Sequence, residues 1–234
     1  MAVVVGIVVG TAMTPGVHVR AGTPEPTPTG DPSDKLLGSW FAAQGQLKTW
    51  SADVTQTRRL KSLKQPLVAT GKIWVAMPDR FRWQVGDPPQ TIALGRPGEL
   101  QVIYPRLKRA EIYPLDPKKP GPWKDALALL DAGFPQSRED LEKRFRLLSV
   151  AETNGLMTLR LQPKNANVQK FMKEIVVGAA TNDWELKSTE VRFVDGSTLR
   201  NDYTNAVPNS PAKDLQLDWP IPANYEIFKP TEQK

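Results

Sequence analysis

The chain has 234 residues, 40 % of them hydrophobic and 24 % charged, with no cysteine, one histidine and a formal net charge of +6. That length and apolar content suit one ordinary domain with a real core, and no interior stretch shifts to linker composition. Without thiols there are no disulfides, no CxxC redox centre and no lipid-bearing N-terminal cysteine; with His18 as the only histidine, His-based triads and His-ligated metals are excluded from the rest of the chain. Carboxylates, lysines and tyrosines remain as possible catalytic groups, but no spacing marks an acid/base pair. Neither an enzyme nor a cofactor is therefore expected.

The apolar run Ala2 to Ala12 has the length of a signal-peptide core and falls short of the ~20 residues that span a membrane. Residues 1–21 are expected to be a cleaved export signal, ending at Val19-Arg20-Ala21, the alternative being an N-terminal strand. The Pro/Thr/Gly-rich residues 22–33 cannot bury apolar surface and read as a disordered spacer, which leaves 34–230 as the domain. Basic residues gather in Arg58 to Lys64, Arg106 to Arg109, Asp116 to Lys124 and Glu142 to Arg146. For an exported protein such patches suit an anionic lipid headgroup or an acidic protein surface better than nucleic acid; solvated faces without a partner are the plainer reading.

In chain order, Leu36, Leu37, Trp40 and Phe41 recur at helical spacing behind Ser33 or Asp34 as cap. A strand follows from Trp50 or Ser51 to about Leu60, then a turn, then "LVATGKIWVAM", in which Ile73 and Val75 oppose Lys72 and Trp74. Pro78 ends that strand and "RFRWQV" (Arg80 to Val85) returns as its hairpin partner, with Phe81, Trp83 and Val85 on one side and arginines on the other. "QTIALG", "ELQVIYP" and "KRAEIYPL" are further short strands. After the Pro-rich "DPKKPGP", Pro122 opens a helix that places Trp123, Leu127, Leu130 and Phe134 on one face and stops at Gly133. Ser137 with Asp140 caps another helix. Hairpins follow through Asn154-Gly155, Thr181 to Asp183 and Asp195-Gly196, and the tail around "NYEIF" offers a last edge strand. The count, roughly ten strands and three helices, predicts an α+β, mainly β fold: a wide antiparallel sheet that must curl, with helices on one face and room for a cavity between the layers.

Several of these stretches resemble the LolA family of periplasmic lipoprotein carriers. "VTQTRRL" (Val54 to Leu60) is similar to the family's opening strand, and "GKIWVAMPDRFRW" (Gly71 to Trp83) to its Gly-x-Leu-Trp-Val-x-Arg-Pro-x-x-Phe-x-Trp signature. "LRLQPK" (Leu159 to Lys164) and "VRFVDGSTLRNDYTN" are similar to later elements, so that the resemblance covers about residues 34 to 222. It implies an incomplete antiparallel β-barrel, a half-barrel closed by helices around a hydrophobic cavity for acyl chains, in a monomer of the periplasm. The implied cargo is an acylated lipoprotein, received from an inner-membrane release complex and passed to an outer-membrane acceptor, with no nucleic acid involved. It also implies cavity roles for Trp74, Phe81, Trp83, Trp123, Leu127 and Leu130, with Phe81 touching the release complex and the helix from Trp123 to Leu130 serving as lid. The family's lid-latching Arg before Pro is Met77 here. Closure then falls to Arg80 or Arg82, or a different lipid is held without a latch. The alternatives to a carrier are a lipid-sensing regulatory module of the same fold, as in the stress-response regulator RseB, and a packed core in which these side chains fill one another's space.

Overall fold

A computed structural model describes residues 32–115, 127, 130 and 132–229. The expected signal, nearly all of the spacer, the Pro-rich run and Trp123 lie outside the described residues.

Twelve strands form one sheet: β1 Thr49–Arg59, β2 Leu67–Ala76, β3 Arg80–Val85, β4 Thr91–Arg96, β5 Glu99–Tyr104, β6 Arg109–Pro114, β7 Phe145–Thr153, β8 Leu156–Pro163, β9 Met172–Ala180, β10 Leu186–Phe193, β11 Thr198–Pro208 and β12 Glu226–Phe228. Their order is β12-β6-β5-β4-β3-β2-β1-β11-β10-β9-β8-β7, an open, curled half-barrel whose edges are β12 and β7. Hairpin connections make nearly every pair antiparallel, because short turns can only reverse the chain. At the Asn154-Gly155 turn both residues take positive φ, 53° and 75°, as a type I′ turn requires. The tail does form an edge strand, but a parallel one: β12 returns from across the sheet and runs alongside β6.

Three α-helices are described end to end, α1 Pro32–Gly45, α2 Arg138–Arg144 and α3 Ala166–Gln169. The apolar stripe of α1 behaves as its spacing predicts, with Leu37 and Trp40 buried and Leu36 and Phe41 half-buried against the core. Ser137 Oγ accepts the Asp140 amide at 3.1 Å, satisfying one of the orphan donors at the start of α2. Arg138 then ties α2 to α1 through Asp34 at 2.9 Å. A further helical segment contains Leu127, Leu130, Ala132 and Gly133 and ends there, as expected; it is called the cover helix below.

Alternation along the strands sends one set of side chains to the helix-covered inner face, where Val54, Ile73, Val102, Leu159, Ile175 and Val177 are fully buried. The outer face is not uniformly wet. Over β4 to β6, Ile92, Leu94, Ile103 and Ala110 are roofed by Trp219, Ile221 and Tyr225 of the C-terminal segment, giving a second small core. Over β8 to β11 the outer face is a charge network centred on Glu174, whose side chain is 3 % exposed and accepts from Arg160 (2.7 Å) and Arg192 (2.9 Å).

Burial alone would raise the Glu174 pKa, but the hydrogen bonds and charges of Arg160 and Arg192 outweigh it and hold the carboxyl below its ordinary 4.5. A carboxyl that titrates lower in the folded than in the unfolded chain contributes fully above that ordinary value and loses its contribution as pH falls. Charge-assisted hydrogen bonds of this kind are worth ~1.5–3 kcal/mol in buried settings, and the half-exposed arginines reduce that. Glu174→Gln is expected to lower stability at pH 7 by about 1–2 kcal/mol. In denaturant titrations the gap between the two proteins should shrink steadily below about pH 4.5.

Candidate functional site

β3 sets the geometry of the inner face. Its register pairs Phe81 with Val75 and Gly95, and Trp83 with Ile73 and Ala93. Phe81 and Trp83 therefore lie on one face, two residues apart, with small neighbours on β4. Gly95 is required there: a Cβ at that position would fall 2.1 Å from the Phe81 ring, which occupies the space a side chain would take. The ring lies across the strand, and above and below it the inner face is recessed.

Above Phe81 is a cavity of about 400 Å³. Phe81, Trp83, Val85, Thr91, Ala93, Leu100 and Tyr104 form one wall, Gln56, Arg58 and Leu199 the other, and Leu127 and Leu130 of the cover helix the roof. Below it, a cleft of about 460 Å³ runs past Val75, Met77, Pro78, Arg80, Leu115 and Phe134, and shares Phe81, Leu127 and Leu130 with the cavity above. Those three side chains are thus a partition between two recesses. Displacing the cover helix would join them.

The C-terminal end of the helix is held in place. Ala132 is fully buried, Phe134 packs edge-on to Trp50 with ring centroids 5.0 Å apart, and its amide donates to the Leu130 carbonyl at 2.9 Å. Trp50 is in turn held edge-on against Tyr203 at 5.3 Å. Leu127 and Leu130, farther from this anchor, are only half-buried.

Polar groups in the cavity are few and placed at its margin. Gln56 donates to Asn201 Oδ1 at 3.1 Å, Asn201 donates to Thr189 Oγ1 at 3.3 Å, and Thr189 bonds the Tyr203 hydroxyl at 3.0 Å, so a buried chain fixes the orientation of the Gln56 amide. Burial raises the Tyr203 pKa far out of the physiological range, which keeps the phenol a neutral hydrogen-bonding group. The buried indole N–H of Trp83 has no acceptor among the described residues. It is a donor available to a guest. Among the described residues no group of three or more His, Cys, Asp or Glu could hold a metal ion.

Phe81, Trp83, Leu127 and Leu130 are thus brought together. Met77 borders the lower cleft beside the cover helix, while Trp123 lies outside the described residues. Trp74 departs from its expected place. It pairs with Arg82, not with Trp83, so strand parity puts both on the outer face. There the Arg82 guanidinium is sandwiched between the Trp74 and Trp219 rings, 5.1 Å and 4.9 Å from their centroids, and donates to Gln84 Oε1 at 2.6 Å. Arg80 reaches Asp218 at 3.3 Å and Arg96 reaches the same carboxylate at 3.0 Å. Of the two candidate latches, Arg82 holds the C-terminal segment to the outer face instead, while Arg80, at the start of β3, reaches Asp218 and also borders the lower cleft beside Leu127 and Leu130. Leu100, Tyr104, Leu199, Gln56 and Arg58 line the cavity as well, without a local sequence signal; each shares the inner face with Phe81 or Trp83 once the strands are paired in register.

The family described as "Outer membrane lipoprotein carrier protein LolA" matches residues 45–214. The chain belongs to the LolA family. No curated protein matches it. Solved structures of similar fold include an uncharacterized conserved protein from Thermus thermophilus, 9 % identical, covering 84 % of this chain and 98 % of that one with a TM-score of 0.49. A putative outer membrane lipoprotein-sorting protein domain from Vibrio parahaemolyticus is 13 % identical over 77 % of this chain and 93 % of that one, TM-score 0.42. The Mycobacterium tuberculosis lipoprotein LppX is 11 % identical over 79 % and 99 %, TM-score 0.35.

Gly95→Ala is expected to cost about 1–3 kcal/mol in urea unfolding, the range for overpacking a filled site, because the Phe81 ring must leave its seat. Gly38→Ala is the contrast. No heavy atom lies within 4 Å of its added methyl in the middle of α1, so it should stabilise by roughly 0.5–1 kcal/mol.

Proposed function

We propose that this protein is a non-enzymatic carrier of acylated lipoproteins, exported to the periplasm, that shelters acyl chains in the recess between the cover helix and the Phe81/Trp83 face and moves them between membranes. The observation that supports the reading is the shared wall: Phe81, Leu127 and Leu130 separate a mainly apolar cavity from a cleft whose margin also carries Asp79, Arg80, Arg96 and Arg144. The cavity's size falls in the ~300–1,000 Å³ range of ligand sites. Family membership supports the same class of guest.

The energetics require such a recess. Taking a sixteen-carbon chain out of a bilayer into water costs on the order of 12 kcal/mol, at ~0.8 kcal/mol per methylene. A carrier makes the step reversible only by offering comparable apolar area. With Leu127 and Leu130 in place the cavity is small, so acyl entry requires the helix to swing about its Phe134 anchor; what the helix loses in contact with Phe81 and Trp83 the guest replaces. Such exchange keeps binding modest and hand-over feasible. The Trp83 indole N–H and the fixed Gln56 amide then offer hydrogen bonds to the ester or amide carbonyls at the head of the chain. Direction comes from partners: a release complex at the inner membrane that supplies energy, and an acceptor that holds the lipid more tightly.

The test is uptake of a fluorescent fatty acid. Trp83→Glu places a carboxylate in the cavity and is expected to weaken uptake about tenfold or more, with the far-UV circular dichroism unchanged. Phe81→Glu is expected to do the same at some cost in stability, since Phe81 is buried. Undiminished uptake in both variants contradicts the proposal.

A further inference from the structure

Of the large apolar side chains exposed among the described residues, Leu148, Leu156, Val207 and Ile227 lie on separate strands, while the other six share one end of the sheet. Among the described residues, Leu63, Leu67, Val68, Leu107, Phe171 and Val194 are 42 % to 71 % exposed, and all six lie on or beside connections at one end of the sheet. The lining of the cavity reaches that end at Arg58, Val85, Tyr104 and Leu199, and this margin is the mouth referred to below. Leu67 is directly opposite Arg58 in the β1–β2 pairing, and Arg58 is opposite Leu199 in the β1–β11 pairing; Arg58 and Leu199 both line the cavity. Tyr104, on the other wall, leads straight into the turn Pro105–Leu107 that exposes Leu107.

The three connections nearest β1 form one surface. Lys61, in the β1–β2 loop, is close enough to Asp195 to help lower its carboxyl pKa, after the larger effect of hydrogen bonds from Ser197. Val194, next to Asp195, donates its amide to the Phe171 carbonyl at 2.8 Å. Leu63, Val194 and Phe171 are therefore carried on adjoining turns around the mouth. Apart from Asp195 beside Val194, the charged neighbours named here are cationic: Arg58, Arg59, Lys61 and Lys64 in the hairpin, whose run from Arg58 to Val68 has no acid, and Lys170 and Lys173 flanking Phe171. Apolar tips set in a field of lysine and arginine fit neither a solvated face, which would not expose leucine, valine and phenylalanine together, nor a plain hydrophobic interface, which would not concentrate one charge. The pattern has the chemistry of the bilayer interface, where acyl boundary and anionic headgroup lie within a few ångströms of each other.

We propose that this rim docks on an anionic phospholipid surface, with Leu63, Val194 and Phe171 entering the interface and the surrounding lysines and arginines on the headgroups, so that the cavity mouth faces the acyl layer. The docking takes its purpose from the carrier reading: a guest would pass between bilayer and cavity without crossing water. It does not depend on that reading for its existence, and the two can fail separately.

The absence of cysteine makes the test clean, because a single introduced thiol carries the only label. The full chain is labelled with an environment-sensitive fluorophore at Leu63→Cys, at Val194→Cys, or at Leu148→Cys, an exposed site in the middle of the edge strand β7. Each is mixed with phosphatidylcholine vesicles containing or lacking 30 % phosphatidylglycerol. Docking predicts a blue shift and a several-fold rise in emission at positions 63 and 194 with the anionic vesicles, none at 148, and loss of about tenfold or more in apparent affinity on Lys61→Glu/Lys64→Glu or at 500 mM salt. Silence at 63 and 194 overturns it and leaves an acidic protein surface as the partner of the patch; an equal response at 148 overturns it as non-specific adhesion. Fatty-acid uptake measured without vesicles separates the two proposals. Uptake with a silent rim ends the docking proposal alone, whereas a responsive rim without uptake ends the carrier proposal alone.

Discussion

The contact between the Phe81 ring and the backbone of Gly95 organises the inner face of this sheet. Because position 95 has no side chain, the ring can lie across β4; because the ring lies there, Leu127 and Leu130 of the cover helix meet it, and an otherwise continuous trough is divided in two. A larger residue at 95 would push the aromatic ring into the cavity, and a smaller one at 81 would leave the trough open and the helix without a seat. The site is thus defined by one strand's side-chain parity and one absent methyl group.

A half-barrel has the difficulty that its second face and its edges remain to be dealt with. On the outer side the C-terminal segment solves this over β3 to β6. Arg82 lies between two indoles, Asp218 takes Arg80 and Arg96, and Trp219, Ile221 and Tyr225 cover the apolar residues beneath before β12 caps the β6 edge. β3 consequently has one face against the C-terminal segment and one toward the cavity. Phe81 and Trp83 are left to contact the cover helix or a guest, while Arg82, between them in sequence, clamps the strand from behind. At the opposite side, a bulge between Leu147 and Ser149 interrupts the register of β7 and makes that edge a poor template for further pairing.

Much of this architecture was legible in the sequence, and the failures have a common cause. Hairpins could be read because their signals are local: the Asn154-Gly155 turn, the alternation in "RFRWQV", the Ser137 cap. So could the seating of Leu127 and Leu130, from helical spacing, and the pairing of Phe81 with Trp83 on one face. Likeness to a family signature places Trp74 in the cavity, whereas the alternation of its own strand sets it opposite Ile73 and Val75. Local periodicity was the better guide there. Arg82 could not have been placed, because what buries it is Trp219, far along the chain in a proline-containing stretch with no periodicity. The chain of hydrogen bonds from Gln56 to Tyr203 was equally hidden, since it joins three strands whose register only the folded sheet sets. Exposed leucines and valines in turns carry no sequence signal at all; their meaning comes from lying at the same end of the sheet as the cavity mouth.

The central claim is that the recess beneath the cover helix holds acyl chains and is not merely a loosely packed core. Native mass spectrometry of the protein, produced in a Gram-negative host with its own N-terminal region and purified without detergent, addresses it most directly. The account predicts a fraction of molecules heavier by the mass of an acylated lipid or lipoprotein, released by added fatty acid and absent from Trp83→Glu. A single unliganded mass that stays unchanged after incubation with excess fatty acid would contradict it, and would mean that Phe81, Trp83, Leu127 and Leu130 serve only one another.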